Sequence, residues 1–390
     1  MKILFISYYL PPLLYPQSIQ IGRFLQYLKN FNDFNITVIT AKEDSRVDNN
    51  LYPKIFDGIK VHHINNNFNV YINIIKNKFF KSIYKKPDTS LNWMNKTYEQ
   101  IVSEYNPGDF DIILTFSQPF STNILGKKLK QYFQCKWIAH NSDPWVDNPY
   151  NNYNSYLKRI NSRLEDECFN YTDQLLFTSM ETALLYKNKY KDFENKIDYI
   201  NHSFDINLYS KKIKVNNNIK IIRYIGTFYG KRSAKPILDV LNSLDKSYQD
   251  KFILEFIGSG KKTKILVNQY GFKNVKVTNA VEYQKSLELM EEADLLLVID
   301  AQSDHESVFF PSKLADYIGS GVEILGLSPI GTTKRIIEDM GYKCFNPDES
   351  SNIVKFIEDF IMRQNIVQFQ KSEEYNIVHN IDKFIQILKK

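Results

Sequence analysis

The sequence predicts an α/β protein built from two doubly wound parallel sheets. Three observations support this prediction. Short, continuous apolar runs alternate with stretches of helical periodicity, the alternation restarts after a polar segment, and the chain has 390 residues. Strands that are apolar along their whole length are typical of parallel sheets covered by helices on both faces. The length favours two domains of roughly 190 residues each.

The first series of buried strands occupies the first half of the chain. Runs rich in Ile, Leu and Val predict strands at 3–8, 36–40, 112–116, 137–140, 175–178 and 197–200. Helical spacing of the apolar residues between them, as in 21–28 and 124–132, predicts the covering helices. We therefore assign residues 1–208 to an N-terminal domain.

A second series begins after a polar segment. Residues 209–220 are rich in lysine and contain three consecutive asparagines, which is typical of a linker. Strands are then predicted at 219–225, 252–257, 275–277, 295–299 and 323–327. We assign 221–376 to a C-terminal domain and expect the helical stretch within 377–390 to pack back onto the first domain.

Composition limits the classes of function. Apolar residues make up 43% and charged residues 24%, the balance of a soluble globular protein. The net charge of +6 suits anionic partners such as nucleotide phosphates, but it is too small for a nucleic-acid-binding surface. The three cysteines are odd in number and far apart, which argues against disulfides and a Cys-based zinc site.

One segment supports a hypothesis of membrane contact. No apolar run reaches the ~18 residues of a membrane span, and the N-terminus lacks a secretory signal, so we expect a cytoplasmic protein. In 71–86, four apolar residues share one helical face, and Lys78, Lys81 and Lys85 point away from it. A peripheral helix at the inner membrane face and an ordinary core-packing helix both fit this pattern.

The most specific segment is 310–321. Pro311 and Ser312 suit a helix start, with Ser312 as the N-cap. The free backbone N–H groups there, together with Lys313, predict an anion site for a diphosphate. Asp316 lies one turn further on the same face, where a carboxylate can accept hydrogen bonds from ribose hydroxyls. An ordinary capped helix with a solvated Asp is the alternative.

This segment resembles the donor-binding helix of the retaining, GT-B-fold glycosyltransferases of family 4. The resemblance is greatest to the branch that builds bacterial capsule, O-antigen and exopolysaccharide. It covers nearly the whole chain, and its further motifs lie at 7–12, 23–28, 137–145, 225–232 and 293–298. The resemblance implies two Rossmann-like domains facing each other across a cleft, with the donor site mostly in the second.

The resemblance also implies roles for the second domain. Lys231 and Arg232, in the loop that opens with Gly226, would neutralise the diphosphate together with Lys313 and the backbone at Ser312. Asp316 would bind the ribose, and the loop around Val281 would contact the base. These cations would stabilise the leaving phosphate, so no metal or other cofactor is expected. For Lys231 and Arg232, a solvated basic turn is the alternative.

In the first domain the resemblance implies that His140 contacts the donor sugar. Asp143 and Trp145 would shape the acceptor side, and Asp143 could orient or deprotonate an acceptor hydroxyl. A structural histidine and a simple Asp-Pro turn are the alternatives. Ser18, in a loop without the glycine pair of many relatives, would contact the donor phosphate.

Two departures from the family pattern concern the donor site. The family usually has a Glu eight residues before the ribose carboxylate, and this position is Val308 here, with Glu306 two residues earlier. The ribose carboxylate itself is Asp316 rather than Glu. The first departure leaves the contacts to the transferred sugar open.

A glycine-rich segment, 258–260, is a weak match to a dinucleotide fingerprint, because the third glycine position is Thr263. We interpret it as a strand-to-helix turn.

The sequence thus predicts a hexosyltransferase that moves a sugar from a UDP- or GDP-sugar to a glycan or polyprenyl-linked acceptor. A non-catalytic sugar-nucleotide-binding subunit and a sugar-nucleotide epimerase of similar build are the alternatives. The epimerase would need an acid/base pair acting on the sugar, which the sequence does not reveal.

Overall fold

A computed structural model describes residues 1–42, 46–66, 87–149, 151, 153–210, 219–301, 306–364 and 372–390. The chain divides into two compact units. The first comprises Met1–Asn201 together with Ile381–Lys390, and the second comprises His202–Asn380. The predicted membrane segment 71–86 lies outside the described residues, as do positions 211–218 of the predicted linker.

The first unit contains a parallel sheet covered by helices. Its described strands are β1 (Lys2–Ser7), β2 (Asn35–Lys42), β3 (Lys60–Asn65), β4 (Ile112–Ser117), β5 (Lys136–Asn141), β6 (Gln174–Phe177) and β7 (Ile197–Tyr199). They lie in the order β3-β2-β1-β4-β5-β6-β7. The helices are α1 (Pro16–Leu28), α2 (Leu91–Glu104), α3 (Ser121–Phe133), α4 (Ser155–Tyr171) and α5 (Met180–Lys189).

The second unit repeats this architecture. Its described strands are β8 (Lys220–Ile225), β9 (Phe252–Ile257), β10 (Val275–Thr278), β11 (Leu295–Ile299), β12 (Glu323–Leu327) and β13 (Lys343–Phe345), in the parallel order β10-β9-β8-β11-β12-β13. The helices are α6 (Lys235–Ser243), α7 (Gly260–Tyr270), α8 (Tyr283–Glu292), α9 (Ser312–Ser320), α10 (Thr332–Asp339) and α11 (Ser350–Met362).

The central strands are apolar throughout because helices cover both faces of each sheet. Every residue of β4, β11 and β12 is buried. In each unit the first strand is the third in this order, and the strand order reverses beside it, between β1 and β4 and between β8 and β11. This arrangement confirms the predicted α/β class with two parallel-sheet domains.

Two edge strands, β3 and β13, are missing from the sequence prediction. In β3 buried and exposed positions alternate, and β13 has only three residues with one buried. Neither strand produces a continuous apolar run, because an edge strand is not covered as fully as a central one.

The last helix, α12 (Ile377–Lys389), carries its C-terminal part into the first unit. Phe384 packs against Phe24 with ring centroids 5.6 Å apart. Lys136 Nζ donates to the backbone oxygen of Ile387 at 3.1 Å, and Lys383 Nζ donates to that of Tyr199 at 2.7 Å. In the described ranges, every helix is too short or too polar to cross a bilayer.

Gly126 provides a test of the packing of α3 against β5. A Cβ at this position would overlap the indole ring of Trp137, which is fully buried. We expect Gly126→Ala to destabilise the protein by about 1–3 kcal/mol through overpacking, although alanine favours a helix over glycine by about 1 kcal/mol. The midpoint of urea unfolding measures this, with exposed Gln131→Ala in the same helix as the control. A midpoint raised by Gly126→Ala would contradict the packing argument.

Candidate functional site

The loop after β8 holds the first part of the candidate site. Gly226 has φ of +125° and Gly230 φ of +62°, backbone conformations that favour glycine. The backbone N–H of Arg232 donates to the oxygen of Tyr229 at 3.2 Å, which closes a turn. The turn leaves Lys231 exposed and Arg232 buried, so the two adjacent basic residues have different surroundings.

The neighbouring loop, residues 258–260, is hydrogen-bonded to the loop after β8. Ser259 Oγ donates to the Gly226 oxygen at 3.1 Å, and Thr227 Oγ1 donates to the Gly258 oxygen at 3.0 Å. The 258–260 segment is therefore a strand-to-helix turn between β9 and α7 that supports the loop after β8.

Arg232 forms a buried ion pair with Asp300. Their side-chain atoms Nη2 and Oδ1 are 2.6 Å apart, and both side chains are less than 5% exposed. Ser328 Oγ donates to the second oxygen of Asp300 at 3.0 Å. The ring of Tyr229 covers the guanidinium, with its centroid 4.5 Å from Cζ. Arg232 is thus not the solvated basic residue of the alternative interpretation.

Lys313 lies beside this pair, in the first turn of α9. Its Nζ donates to the Tyr224 hydroxyl at 2.6 Å, and a Cβ at Gly226 would lie 3.2 Å from Nζ. Desolvation and the positive charge of Arg232 lower the pKa of Lys313 to about 7, against the attraction of Asp300. Two cations are therefore concentrated where β8 and β11 end, the pattern expected of an anion site.

Asp316 follows one turn later and is 5% exposed. The Tyr283 hydroxyl donates to Asp316 Oδ1 at 3.0 Å, and the Tyr209 hydroxyl donates to its backbone oxygen at 2.8 Å. The hydroxyl of Tyr317 accepts from the Ile225 N–H at 2.9 Å and joins α9 to the end of β8. These contacts fix the predicted carboxylate beside Lys313.

The start of α9 differs in one detail from the prediction. Pro311 is the N-cap, and Ser312 is the first helical residue with no side-chain capping bond, so the assignment of Ser312 as N-cap is wrong. The side chain of a proline offers no oxygen for a cap, so no N-cap side chain occupies the backbone donors of this turn. The Leu314 N–H donates to the Pro311 oxygen at 2.9 Å. Val281 is half-buried between β10 and α8, and the structure does not link it to the charged residues.

In the first unit, His140 lies near the end of β5. It is 5% exposed, and its ring packs 5.2 Å from that of Phe116. Burial lowers the pKa of His140 to about 4, so the imidazole is neutral at physiological pH. The imidazole can therefore act as a neutral hydrogen-bonding group and not as a cation.

Asp143 lies in the loop after β5 and accepts a hydrogen bond from Gln118 Nε2 at 3.0 Å. Trp145, predicted to shape the acceptor side, is fully buried and stacks on Phe120, so its side chain lies in the core and not on the surface. The apolar indole is more stable in the core, where its N–H donates to Asn161 Oδ1 at 3.0 Å.

A buried carboxylate, Glu165 of α4, anchors this loop. It accepts from the Val146 N–H at 2.9 Å and from Lys189 Nζ at 2.6 Å. The Tyr186 hydroxyl donates to Glu165 and accepts from the Trp145 N–H, each at 2.9 Å. Burial raises the pKa of Glu165, and Lys189 opposes that shift. The network fixes the backbone that follows Asp143.

Ser18 is the third residue of α1 and has no exposed surface. Its Oγ has no hydrogen-bond partner among the described residues. The predicted contact with a donor phosphate would require this hydroxyl to become accessible.

Asp300, Tyr283 and Ser328 were not predicted as site residues from the sequence. Asp300 and Ser328 are the first residues after β11 and β12, and Tyr283 is the first residue of α8. A polar residue directly after a buried strand was the available signal for Asp300 and Ser328, because the carboxyl ends of parallel strands carry the binding residues of such sheets.

Solved structures resemble the chain over its full length. Anabaena Alr3699/HepE, solved with UDP and glucose, has 13% sequence identity and a TM-score of 0.67, covering 100% of this chain and 99% of that one. The lipopolysaccharide outer core galactosyltransferase WaaB has 13% identity, the same coverage and a TM-score of 0.64. Sucrose-phosphate synthase from Thermosynechococcus elongatus has 12% identity, coverage of 100% and 98%, and a TM-score of 0.73.

The chain has the GT-B fold. This fold is shared by UDP-N-acetylglucosamine 2-epimerase from Neisseria meningitidis, with 14% identity, complete coverage of both chains and a TM-score of 0.53. No protein-family model and no curated protein matches the sequence. At these identities the neighbours establish the fold, and the chemistry has to be argued from the side chains.

Lys313 predicts a specific pH dependence of stability. Its ordinary pKa is 10.5 and its folded-state pKa is about 7. Between these values the unfolded chain binds a proton that the folded protein does not, so stability rises with pH. Below about pH 7 Lys313 is protonated in both the folded and the unfolded state. The full free-energy cost of desolvating its charge then lowers the stability of the folded protein.

We therefore expect Lys313→Met to raise the thermal midpoint most near pH 6.5, with the gain declining towards pH 10. Thermal unfolding at a series of pH values measures this, with exposed Lys231→Met as the matched control. A gain that is the same at every pH would argue that hydrophobic packing, and not relief of a buried charge, is responsible.

Proposed function

We propose that the protein is a glycosyltransferase that moves a sugar from a UDP- or GDP-sugar to a glycan or polyprenyl-linked acceptor. We further propose that transfer retains the anomeric configuration, needs no metal ion and serves bacterial surface polysaccharide synthesis. The observation that carries the proposal is the pair of cations, buried Arg232 and half-buried Lys313, beside the carboxylate of Asp316.

The cations suit a nucleoside diphosphate leaving group. Negative charge accumulates on the diphosphate as the glycosidic bond breaks, and fixed positive charges in a desolvated site stabilise that charge most. The backbone N–H groups at the start of α9 add to them. Lys231, exposed in the same loop, would reach the diphosphate from the solvent side.

Lys313 is suited to respond to the ligand. With a pKa of about 7 it is only partly charged in the free protein at neutral pH. An incoming diphosphate would favour the protonated form and raise this pKa. The full positive charge would then be present when the donor is bound.

Asp316 is proposed to accept hydrogen bonds from the ribose. Its carboxylate is one methylene shorter than the usual Glu, and the Tyr283 hydroxyl, 3.0 Å from Oδ1, holds it in one orientation. Gly226 allows close approach of the backbone, because a Cβ there would crowd Lys313. Val281 is proposed to contact the base.

In the first unit, His140 is proposed to hydrogen-bond to the donor sugar, and Asp143 to orient an acceptor hydroxyl. The neutral imidazole fits a contact with a sugar hydroxyl. The Gln118 Nε2 atom donates to Asp143 Oδ2 at 3.0 Å, and a carboxylate can accept several hydrogen bonds, including one from a hydroxyl.

The structural neighbours support nucleotide-sugar chemistry in general. HepE was solved with UDP and glucose, and WaaB is a galactosyltransferase. The presence of a UDP-N-acetylglucosamine 2-epimerase among them favours an epimerase as the second candidate. Product analysis separates the two, since an epimerase changes the sugar of its nucleotide and a transferase releases the nucleoside diphosphate.

A binding panel tests the donor site. We expect UDP or GDP to raise the thermal midpoint in the presence of EDTA, whereas ADP, CMP and NAD should not, because binding to the folded state stabilises it by mass action. Asp316→Ala should abolish the shift. Asp316→Glu, which keeps the charge, should retain part of it, and exposed Asp250→Ala in the same unit should retain all of it.

The same variants then decide between enzyme and binding subunit. A transferase should release UDP or GDP from the matching nucleotide sugar, and Asp316→Ala should slow this release at least tenfold. Binding without any turnover would favour the non-catalytic subunit. If no diphosphate raises the thermal midpoint, the proposal loses its main support. If binding or turnover requires added Mg²⁺, the metal-free form of the proposal is contradicted.

We also propose peripheral contact of segment 71–86 with the inner membrane face. The support is the sequence pattern, in which several lysines accompany an apolar helical face. We expect the protein to sediment with vesicles that contain anionic lipid and to lose this binding when Lys78, Lys81 and Lys85 are changed to Glu. Binding that survives the triple change, or that is absent from the wild type, would contradict the proposal.

A further inference from the structure

Asp300 is an acidic side chain that forms a direct ion pair with Arg232, a cation of the candidate diphosphate site. It occupies the position directly after β11, and its backbone N–H donates to the Leu327 oxygen at 2.8 Å. Ser328 Oγ, directly after β12, donates to Asp300 Oδ2 at 3.0 Å. Asp300 is therefore held by a hydrogen bond of its own backbone and by one from Ser328, in addition to its ion pair with Arg232.

This placement needs an explanation, because a carboxylate in an anion site repels the ligand. A buried pair is expensive to desolvate and is weak evidence of a contribution to stability. Without a negative charge, however, Arg232 and Lys313 would repel each other in surroundings that screen charge poorly. One of the two would then lose its charge or move away, and Lys313 is the group that can lose a proton.

We propose that Asp300 is a positioning residue of the donor site, which holds Arg232 in place and keeps Lys313 able to carry its charge. This inference rests on the proposed function, since it assigns Asp300 a role in binding the diphosphate of the donor. Asp300 acts through the two cations and does not touch the ligand itself.

The charges around Lys313 support this role. The groups that face it are Arg232 from the loop after β8, Asp300 from the end of β11 and the Tyr224 hydroxyl from β8, while Asp316 lies one turn further along α9. Arg232 lowers the pKa of Lys313, and Asp300 raises it. Tyr317 and Tyr229 lie next to Tyr224, whose own pKa is raised well above its ordinary value by burial.

Opposite substitutions should therefore have opposite effects. Asp300→Asn keeps the size of the side chain and removes its charge, so the pKa of Lys313 should fall below the wild-type value. Arg232→Met removes the repelling cation, so the pKa should rise. Shifts of opposite sign would show that both charges act on Lys313, and UDP affinity then tests the positioning role.

Trace acetylation of the intact, ligand-free protein at a series of pH values, read by mass spectrometry, gives the pKa of Lys313. The same variants are then titrated with UDP at pH 8. If UDP requires the charged lysine, each unit by which Asp300→Asn lowers the pKa should weaken UDP binding about tenfold. Ser328→Ala, which only frees Asp300 to move, should have a smaller effect in the same direction.

Asp294→Asn is the matched control. Asp294 lies directly before β11, at the opposite end of the same strand, and accepts from the Ile221 N–H at 2.8 Å. Its loss should lower stability but leave both the pKa of Lys313 and UDP affinity unchanged. Circular dichroism verifies that each variant is folded, and Asp300→Glu should restore part of the wild-type behaviour.

The outcomes separate this inference from the proposed function. Wild-type UDP affinity together with an unchanged pKa of Lys313 in Asp300→Asn would overturn the role of Asp300 while leaving UDP binding intact. If the wild type binds neither UDP nor GDP, the proposed function fails. The labelling experiment still decides whether Asp300 controls the charge of Lys313, because it needs no ligand.

Discussion

The parallel pairing of β8 with β11 is the constraint on which the candidate site depends. Parallel strands end at the same edge of a sheet, so residues far apart in the chain meet there. The loop after β8 brings Arg232, the end of β11 brings Asp300, and α9 returns Lys313 to the same place. Gly226 permits this approach, because its φ of +125° and missing side chain leave room for the lysine.

The electrostatics of the site follow from this crowding. Bringing two cations together away from water costs free energy, and the protein accommodates the cost in two ways. Arg232 receives a buried counter-charge, whereas Lys313 receives the neutral hydroxyl of Tyr224 and a pKa of about 7. The arginine cannot lose its proton within the physiological range, so the lysine is the adjustable member. The proximity of the two cations lowers the stability of the free protein, and a bound anion would offset this loss.

The sequence predicted features that depend on neighbouring residues or on continuous apolar runs. It missed features that depend on contacts between residues far apart in the chain. Central strands such as β11 and β12 were predicted with their observed limits, because burial on both faces requires apolar residues throughout. The edge strand β3 was missed because only part of it is buried. Likewise Lys313 and Asp316 belong to one helix and one motif, whereas Asp300 and Tyr283 reach them only through the fold. Pairing of this kind depends on strand order, which local patterns do not specify.

The two candidate groups of residues follow different physical rules. In the second unit the polar residues carry charges of both signs close together, as in Arg232, Lys313 and Asp300. Such a group suits a ligand with high charge density. In the first unit burial keeps His140 neutral, and Asp143 is held by an amide, Gln118. Neutral hydrogen-bonding groups suit hydroxyls, because a hydroxyl has no net charge and is bound by donors and acceptors in the correct orientation. This contrast is expected if the second unit binds a highly charged diphosphate and the first unit binds neutral sugar hydroxyls.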